Sequence, residues 1–217
     1  MDKLSLLLKD YHSEIFSAHG ATAQGVNWGD ETELQHRYDK MLRVLGVPAP
    51  PLPQRPSLLD VGCGWGGLAS RIEACNVNVD YHGVDIVEAM IDYGRSTYPN
   101  ATFMVGDIFE MTEHESYDFV VGNGVLIQKR DITIPEMERF TKMLIRKMFD
   151  LCRRGIAFNM MSTKVNFTVG TLYYQSPVEL LSWLLTEISP CVVLDHGYSS
   201  LASGIGKYYD FTVYVYK

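Results

Sequence analysis

A glycine-rich turn in the first half of the chain has the residue types of a ligand-binding loop. Residues 58–69 have the pattern of a buried strand, a turn containing Gly62, Gly64 and Gly67, and the start of a helix. Such a turn exposes backbone N–H groups at the helix start and lets a ligand approach the main chain closely. The sequence therefore predicts a small-molecule site at this turn, with Asp60 just before the first glycine.

Polar residues also follow the next three predicted strands. Asp85 closes the second strand, Asp107 follows the third and Asn123 follows the fourth. In an open parallel sheet, ligands bind beyond the carboxyl ends of the strands. The Asp85 carboxylate can accept hydrogen bonds from the two vicinal hydroxyls of a ribose, and Asp107 can accept one from an adenine amine. The predicted cofactor site is completed by neighbours of these residues, namely Cys63, Trp65, Ile86, Ile108, Gly124 and Val125.

A dinucleotide site is the alternative interpretation of the same glycines. Gly62, Gly64 and Gly67 fit the pattern G-x-G-x-x-G, and Asp85 follows at about the distance expected for a ribose-binding acid. Against it, the motif lies behind two predicted helices, no Tyr-x-x-x-Lys pair is present, and the chain is too short for a second catalytic domain. An NAD(P)-dependent oxidoreductase is therefore the less favoured function.

Four motifs together resemble those of the class I S-adenosylmethionine-dependent methyltransferases, above all the small bacterial enzymes that act on small molecules. Residues 58–66 look like the first motif of that family, and residues 84–86 look like its second-strand acid. Residues 106–108 are similar to its adenine-contacting motif, and residues 118–125 to its fourth-strand motif. The resemblance implies S-adenosylmethionine as cofactor, S-adenosylhomocysteine as product, and a Rossmann-like seven-stranded sheet.

The resemblance also implies the reaction, which is in-line transfer of the sulfonium methyl group to an oxygen, nitrogen or carbon nucleophile of a small molecule. Asn123 and Gly124 would lie near that methyl group. Metal-dependent catechol-type members need an acid at the end of the fourth strand and an Asp-Asn pair after the fifth, where this chain has Asn123 and residues 159–162 (Asn-Met-Met-Ser), so we expect no metal. A non-catalytic scaffold that binds the cofactor is a second alternative.

In this family the acceptor pocket lies under N-terminal helices and beside the loops after the fourth and fifth strands. Residues at these places are the candidate pocket residues Trp28, Arg37, Tyr38, Gln128, Ser162, Lys164, Tyr173 and Tyr174. Arg37 could clamp a carboxylate or be an ordinary solvated arginine, and Tyr38 could instead pack in the core. His12 is the candidate general base, with Tyr11 beside it.

The elements that must position these residues follow from periodicity and turn residues. Strands and helices alternate from residue 57 onward, which predicts an α/β domain with a mostly parallel sheet and helices on both faces. A closing strand pair predicts an antiparallel C-terminal hairpin. The expected strands are Ser57–Val61, Asp80–Asp85, 102–106, Tyr117–Gly122, 155–161, Cys191–Asp195 and 209–216, and the expected helices of this domain are 66–75, 88–98, 133–153 and a last one starting at Ser176.

Two further helices precede this domain, and five prolines within residues 47–56 separate them from it. The second of them is expected near residues 30–45. We therefore expect an N-terminal helical lid over residues 1–46, a proline-rich connector over 47–56, and the cofactor-binding domain over 57–217.

The totals exclude several classes of partner. The chain has 217 residues and a formal net charge of −7, which argues against nucleic acid as the main partner. Its four cysteines form no Cys-x-x-Cys pair, so free thiols in a reducing compartment are the simplest account. No signal peptide or membrane-length apolar run is visible. We expect a cytoplasmic monomer or homodimer without a membrane partner.

Overall fold

Alternating strands and helices build one mixed sheet covered by helices on both faces. The structure, a computed structural model, describes residues 3–46, 53–112, 116–197 and 209–217. Its strands are β1 (Ser57–Val61), β2 (Asp80–Asp85), β3 (Thr102–Val105), β4 (Tyr117–Gly122), β5 (Cys152–Ser162), β6 (Tyr174–Gln175), β7 (Cys191–Asp195) and β8 (Asp210–Tyr216). Its helices are α1 (Lys3–His19), α2 (Glu31–Leu42), α3 (Gly67–Ala74), α4 (Glu88–Thr97), α5 (Ile134–Leu151) and α6 (Pro177–Glu187).

The strand order is β3-β2-β1-β4-β5-β8-β7. Strands β1 to β5 are parallel to one another, while β8 is antiparallel to both β5 and β7. The predicted mostly parallel sheet with a C-terminal antiparallel hairpin is confirmed. The order reverses at β1, so the connections that leave the carboxyl ends of β1 and β4 run to opposite faces of the sheet and open a crevice for a ligand.

Apolar side chains form one core on each face of the sheet. One core contains residues of α1, α5 and α6, including Leu4, Leu144 and Leu184. The other core contains residues of α2, α3 and α4, including Leu34 and Leu68. The inner strands are buried on both faces because helices cover both, and this explains their nearly continuous apolar sequences.

Helix starts follow local capping chemistry. The Thr133 side chain accepts a hydrogen bond from the Glu136 N–H, and the Glu136 side chain accepts one from the Thr133 N–H, as the sequence pattern predicted. Asp30 caps α2 and Ser176 caps α6 in the same way, through the N–H of the residue three positions later. These contacts are local, so they could be predicted from the sequence.

The structure corrects three element boundaries by two residues or more, and several others by a single residue. Helix α5 ends at Leu151 instead of residue 153, and β5 begins at Cys152, because Arg153 and Arg154 reach the Asp118 carboxylate of neighbouring β4 at 3.3 and 3.4 Å. Helix α2 ends at Leu42, and a short 3₁₀ helix continues to Gly46. The two-residue strand β6, which pairs with the end of β5, was not predicted.

The N-terminal region packs on the sheet through α2. The Arg37 Nε donates to Asp210 Oδ2 of β8 at 2.6 Å, Lys40 pairs with Asp195 of β7, and the Tyr214 hydroxyl donates to the Lys40 carbonyl at 2.8 Å. Residues 47–52 of the expected connector lie outside the described residues. The division at 1–46, 47–56 and 57–217 stays a prediction.

Candidate functional site

A cavity lies at the carboxyl ends of β1 to β4, below α1. All four predicted strand ends contribute to it, together with the loop before α2. Its lining includes Ser5, Leu8, His12, Asn27, Trp28, Tyr38, Asp60, Gly62, Cys63, Gly64, Asp85, Ile86, Met90, Asp107, Ile108, Asn123, Gly124, Val125, Gln128, Phe140 and Leu144. Residues that are far apart in the chain therefore meet at one place, as the parallel topology requires.

The glycine-rich turn after β1 needs glycine because of its backbone and its neighbours. Gly62 has φ +67° and Gly64 has φ +55°, and both values lie in the left-handed region that other residues rarely adopt. A Cβ on Gly62 would collide with Val125 Cγ1, and one on Gly64 would lie 3.0 Å from Val26 Cγ1. The bare backbone of this turn therefore forms part of the cavity wall.

Asp85 fixes the turn and lines the cavity. Its Oδ2 accepts the Gly64 N–H at 2.8 Å, and its Oδ1 accepts the Val87 N–H at 2.9 Å. Burial raises the pKa of the Asp85 carboxyl, and the backbone N–H groups of Val87, Gly64 and Ile86 oppose that rise. Each carboxylate oxygen has two lone pairs, so acceptor capacity remains for a ligand hydroxyl.

Asp107 holds the opposite side of the cavity against α1. Its Oδ1 accepts the Phe109 N–H at 3.1 Å, and its Oδ2 accepts the Ser5 hydroxyl at 3.4 Å. Ile86 and Ile108 line the same cavity and present apolar surface to a planar group. A ligand bound here would lie between strand ends and the underside of α1.

Asp60 lies deeper than the other two carboxylates. It is buried, and its Oδ2 accepts the Tyr81 hydroxyl at 2.8 Å. Burial raises the pKa of Asp60 to about 7, the Tyr81 hydrogen bond lowers it, and nearby Asp85 raises it. Burial also raises the pKa of the Cys63 thiol well above its usual value, which favours the interpretation of Cys63 as a small residue that fills the turn.

The loop after β4 carries buried amide groups. The Gly124 N–H donates to Asn159 Oδ1 of β5 at 2.7 Å, and a Cβ on Gly124 would lie 2.8 Å from the Trp28 ring. Among the described residues, Asn123 Oδ1 and Gln128 Oε1 are buried without a hydrogen-bond partner, although both residues line the cavity. An unsatisfied buried polar atom is costly, so this end of the cavity fits a polar ligand.

His12 reaches the cavity from α1, and Tyr11 lies next to it. The two rings meet edge to face with their centroids 5.1 Å apart, and the Arg130 guanidinium lies 4.0 Å from the Tyr11 centroid. Burial, followed by the positive charge of Arg130, lowers the pKa of His12 to about 4. At neutral pH, His12 is therefore an uncharged imidazole, and it is a weaker base than an ordinary histidine.

Tyr11 and Trp65, unlike most of the cofactor and catalytic candidates, do not line the cavity. The Tyr11 ring contacts both His12 and the Arg130 guanidinium. Trp65 is buried in the core, where its Nε1 donates to the Thr22 carbonyl at 3.3 Å. It anchors the loop that carries Trp28.

Arg37 is buried away from the cavity. Its guanidinium pairs with Asp210 and Glu33, at 2.6 and 2.7 Å. The guanidinium carbon also lies 4.0 Å from the centroid of the Trp28 ring. In this structure Arg37 stabilises the packing of α2 and positions Trp28, because its charge is already paired with carboxylates.

Four candidates at or after the end of β5 also lie outside the cavity. The Ser162 hydroxyl accepts the backbone N–H of Lys164 and lies 2.8 Å from His196 Nε2. The Lys164 side chain is exposed. The Tyr173 hydroxyl donates to Gln175 Oε1 at 2.8 Å, and the Tyr174 hydroxyl accepts the Val169 N–H at 2.9 Å. Both tyrosines line a separate shallow groove beside α5 and α6.

The sequence motifs do not include several residues in and around the site. Ser5, Leu8 and His12 share one face of α1 at helical spacing. Helical periodicity therefore predicts that Ser5 and Leu8 face the same site as His12. Asn159 and Arg130 do not line the cavity, but they contact Gly124 and Tyr11 beside it, and only the fold brings them there. The described residues contain no group of three or more His, Cys, Asp or Glu side chains arranged to hold a metal ion. Within the same residues, no helix combines the length and apolar character needed to cross a membrane.

Comparisons with known proteins agree with this geometry. A family model described as a methyltransferase domain matches residues 55–182. Rv1506c of Mycobacterium tuberculosis, named as a methyltransferase, is 24% identical over 166 residues, which are 74% of this chain and 93% of that protein. The protein 235L of Invertebrate iridescent virus 6, also named as a methyltransferase, is 35% identical over 65 residues, 30% of this chain. That match spans only 24% of the viral protein's length.

A solved structure shows the same fold over the whole chain. The plantazolicin methyltransferase BpumL, in complex with a pentazolic desmethylPZN analog and SAH, superposes with a TM-score of 0.60. The two sequences are 14% identical, and the superposition covers 100% of this chain and 99% of that chain. At this identity the likeness establishes the fold.

Proposed function

The chain belongs to the methyltransferase domain family, and from this premise we propose that it transfers the methyl group of S-adenosylmethionine to an oxygen, nitrogen or carbon nucleophile of a small molecule. One observation carries the proposal. The polar ends of four parallel strands, with Gly62, Asp85, Asp107 and Asn123, line a single cavity. When bound, S-adenosylmethionine supplies a methyl group that is attached to a positively charged sulfur. After the transfer, this sulfur is part of a neutral thioether.

The residues of the cavity fit this cofactor. Asp85 would accept hydrogen bonds from the ribose hydroxyls, and Asp107 would accept one from the adenine amine. The bare turn at Gly62 and Gly64 provides room for the amino-acid end, since a Cβ at either position would contact a neighbouring valine. Asn123 Oδ1 is a buried acceptor that has no partner among the described residues, and it suits a polar group near the reacting methyl.

The remaining side chains would orient the reactants and exclude water. Helix α1 covers the cavity through Ser5, Leu8 and His12, and the Trp28 ring lies against Gly124. Orientation in an enclosed site contributes up to about 7–11 kcal/mol to catalysis in favourable systems. If the acceptor must lose a proton, the neutral His12 imidazole can take it within the cavity.

We propose that the transfer needs no metal. The loop after β4 and strand β5 supply the neutral amides of Asn123 and Asn159 beside the cavity, and these bind a hard metal ion less strongly than charged carboxylates would. A sulfonium methyl group is reactive without Lewis-acid help. The chemistry of these side chains therefore favours direct displacement along the line from sulfur to nucleophile.

Helix α1 covers the site, and this favours a small acceptor. The Ser5 hydroxyl contacts Asp107, so little room remains there for a macromolecular surface. BpumL, which shares the fold, was crystallised with SAH and a desmethylPZN analog, and this supports an acceptor of that general size. The comparisons favour neither a nicotinamide-dependent oxidoreductase nor a non-catalytic scaffold.

Thermal unfolding in the presence of S-adenosylmethionine, S-adenosylhomocysteine, NAD and NADP tests the cofactor. A ligand at a hundred times its dissociation constant stabilises the folded state by about 2.7 kcal/mol, so the midpoint should rise by roughly 5–11 °C with the two sulfur ligands alone. A rise with NAD or NADP instead would contradict the proposal. Release of S-adenosylhomocysteine across a panel of phenols, amines and acids then tests turnover, and binding without any turnover would indicate a scaffold.

A further inference from the structure

Arg130 has a backbone conformation that is unusual for arginine. It lies in the loop after β4 with φ +51°, in the left-handed region that favours glycine. The N–H groups of Lys129 and Arg130 both donate to the Thr171 carbonyl at 3.0 Å, which holds the loop in this conformation. A strained residue persists when its surroundings fix it, and such residues cluster at functional sites.

The Arg130 guanidinium is held against an aromatic ring instead of a carboxylate. It lies 4.0 Å from the centroid of Tyr11 on α1. Within the described residues, the guanidinium N–H groups of Arg130 donate no hydrogen bond, and the adjacent Asp131 makes no ion pair with this guanidinium. By contrast, Arg71 pairs with Asp39 at 2.7 Å, and Arg153 reaches Asp118 at 3.3 Å. Stacking orients the planar guanidinium and leaves its N–H edge available for a planar anion.

The charges around the cavity explain where an anionic group could bind. The charged side chains among the described lining residues are Asp60, Asp85 and Asp107, with no lysine or arginine. These carboxylates suit a cationic cofactor and repel an anion placed among them. Arg130 does not line the cavity but contacts Tyr11, which in turn contacts His12, so an anion bound to Arg130 would lie outside that group of carboxylates and near the cavity-lining imidazole.

We propose that Arg130 binds an anionic group of the methyl acceptor, a carboxylate or a phosphate, and so places the acceptor's nucleophile beside His12. The inference rests on the proposed function of the cavity. Binding pairs a charged guanidinium with a charged oxyanion through two parallel hydrogen bonds, which fixes the orientation of the acceptor as well as its position. Because Arg130 itself does not line the cavity, the part of the acceptor that carries the nucleophile would extend from the bound anion into the cavity.

The test uses His12 as a reporter, so it does not depend on turnover. The ¹H–¹³C resonance of the His12 ring, assigned with His12→Gln, is followed at constant pH and ionic strength, with and without S-adenosylhomocysteine. The probes are acetate, inorganic phosphate and acetamide, which has the size of acetate without its charge. The variants are Arg130→Gln, Arg130→Lys and, as the matched control, Arg139→Gln, which changes an exposed arginine of α5.

We expect acetate or phosphate, but not acetamide, to shift the His12 resonance in a saturable way, and the tighter of the two identifies the anion. Arg130→Gln should weaken this binding at least about tenfold, Arg130→Lys should keep part of it, and Arg139→Gln should leave it unchanged. Absence of a saturable anion shift, or an equal shift in Arg130→Gln, would overturn the inference. If S-adenosylhomocysteine fails to bind in calorimetry, the proposed function fails separately, because the titration without it still reports on Arg130.

Discussion

Replacing Asp85 with Asn should weaken the binding of S-adenosylhomocysteine while the fold is kept. The substitution preserves the shape of the side chain but removes its charge and one of its two acceptor oxygens. In the structure the carboxylate already accepts the N–H groups of Gly64 and Val87, at 2.8 and 2.9 Å. Its position beside the turn is therefore fixed before a ligand arrives.

The magnitude follows from the hydrogen bonds that the ribose would make. A hydrogen bond to a charged group contributes about 1.5–3 kcal/mol, and a neutral one about 0.5–1.5 kcal/mol. Two ribose hydroxyls on Asp85 would therefore lose about 1 kcal/mol each, or about 2 kcal/mol together. This corresponds to a roughly 30-fold larger dissociation constant. The NH₂ group of the asparagine would face one of the two backbone N–H groups, so two donors would meet without an acceptor. We therefore expect the variant to unfold at a lower temperature as well.

Isothermal titration calorimetry with S-adenosylhomocysteine measures the affinity, and circular dichroism checks the fold. Asp92→Asn is the matched control, because Asp92 lies on α4 with 62% of its side chain exposed and pairs only weakly with exposed Arg95. The control should bind as the unmodified protein does. A folded Asp85→Asn variant whose dissociation constant stays within about twofold of the original would refute the assignment of Asp85 to the ribose.

Three further substitutions test other parts of the reasoning. Arg37→Ala should lower stability by about 3–5 kcal/mol, since Asp210 is left buried with its partner removed, and calorimetry should show a fall in the unfolding midpoint of roughly 6–20 °C. Asp60→Asn should reduce the pH dependence of stability in urea unfolding. Burial raises the pKa of Asp60 from 3.8 to about 7, so the unmodified protein should lose up to about 1.4 kcal/mol per pH unit as the pH rises between these values. An equal loss in the variant would contradict that pKa. His12→Gln should lower kcat/KM at least about a hundredfold for an acceptor that must lose a proton, while calorimetry shows unchanged S-adenosylhomocysteine affinity. Full activity in that variant would exclude His12 as the base.

The cofactor side of the cavity could be located from the sequence because its signals are local. The strands Ser57–Val61, Asp80–Asp85 and Tyr117–Gly122 were predicted with the boundaries that the structure shows. Each is a short buried segment that ends at, or directly before, a glycine or an acid, and parallel strands bring such ends to one edge of the sheet. Asp85 and Asp107 meet in the cavity for that reason.

Only the tertiary structure decided which side chains lie on the acceptor side. Arg37 was a candidate clamp, but it pairs with Asp210, which is 173 positions away in the chain, and no pattern around Arg37 could reveal this partner. Arg130 belongs to no motif, and its relation to Tyr11 depends on how α1 packs over the loop after β4.

Helical periodicity in the sequence indicates which face of a helix is buried, but not which surface it is buried against. The chain by itself therefore determined the sheet, the glycine-rich turn and the acids at the strand ends, because these depend on neighbouring residues and on a regular topology. The identity of the groups around the acceptor depended on long-range packing and charge pairing, which become defined only when the chain has folded.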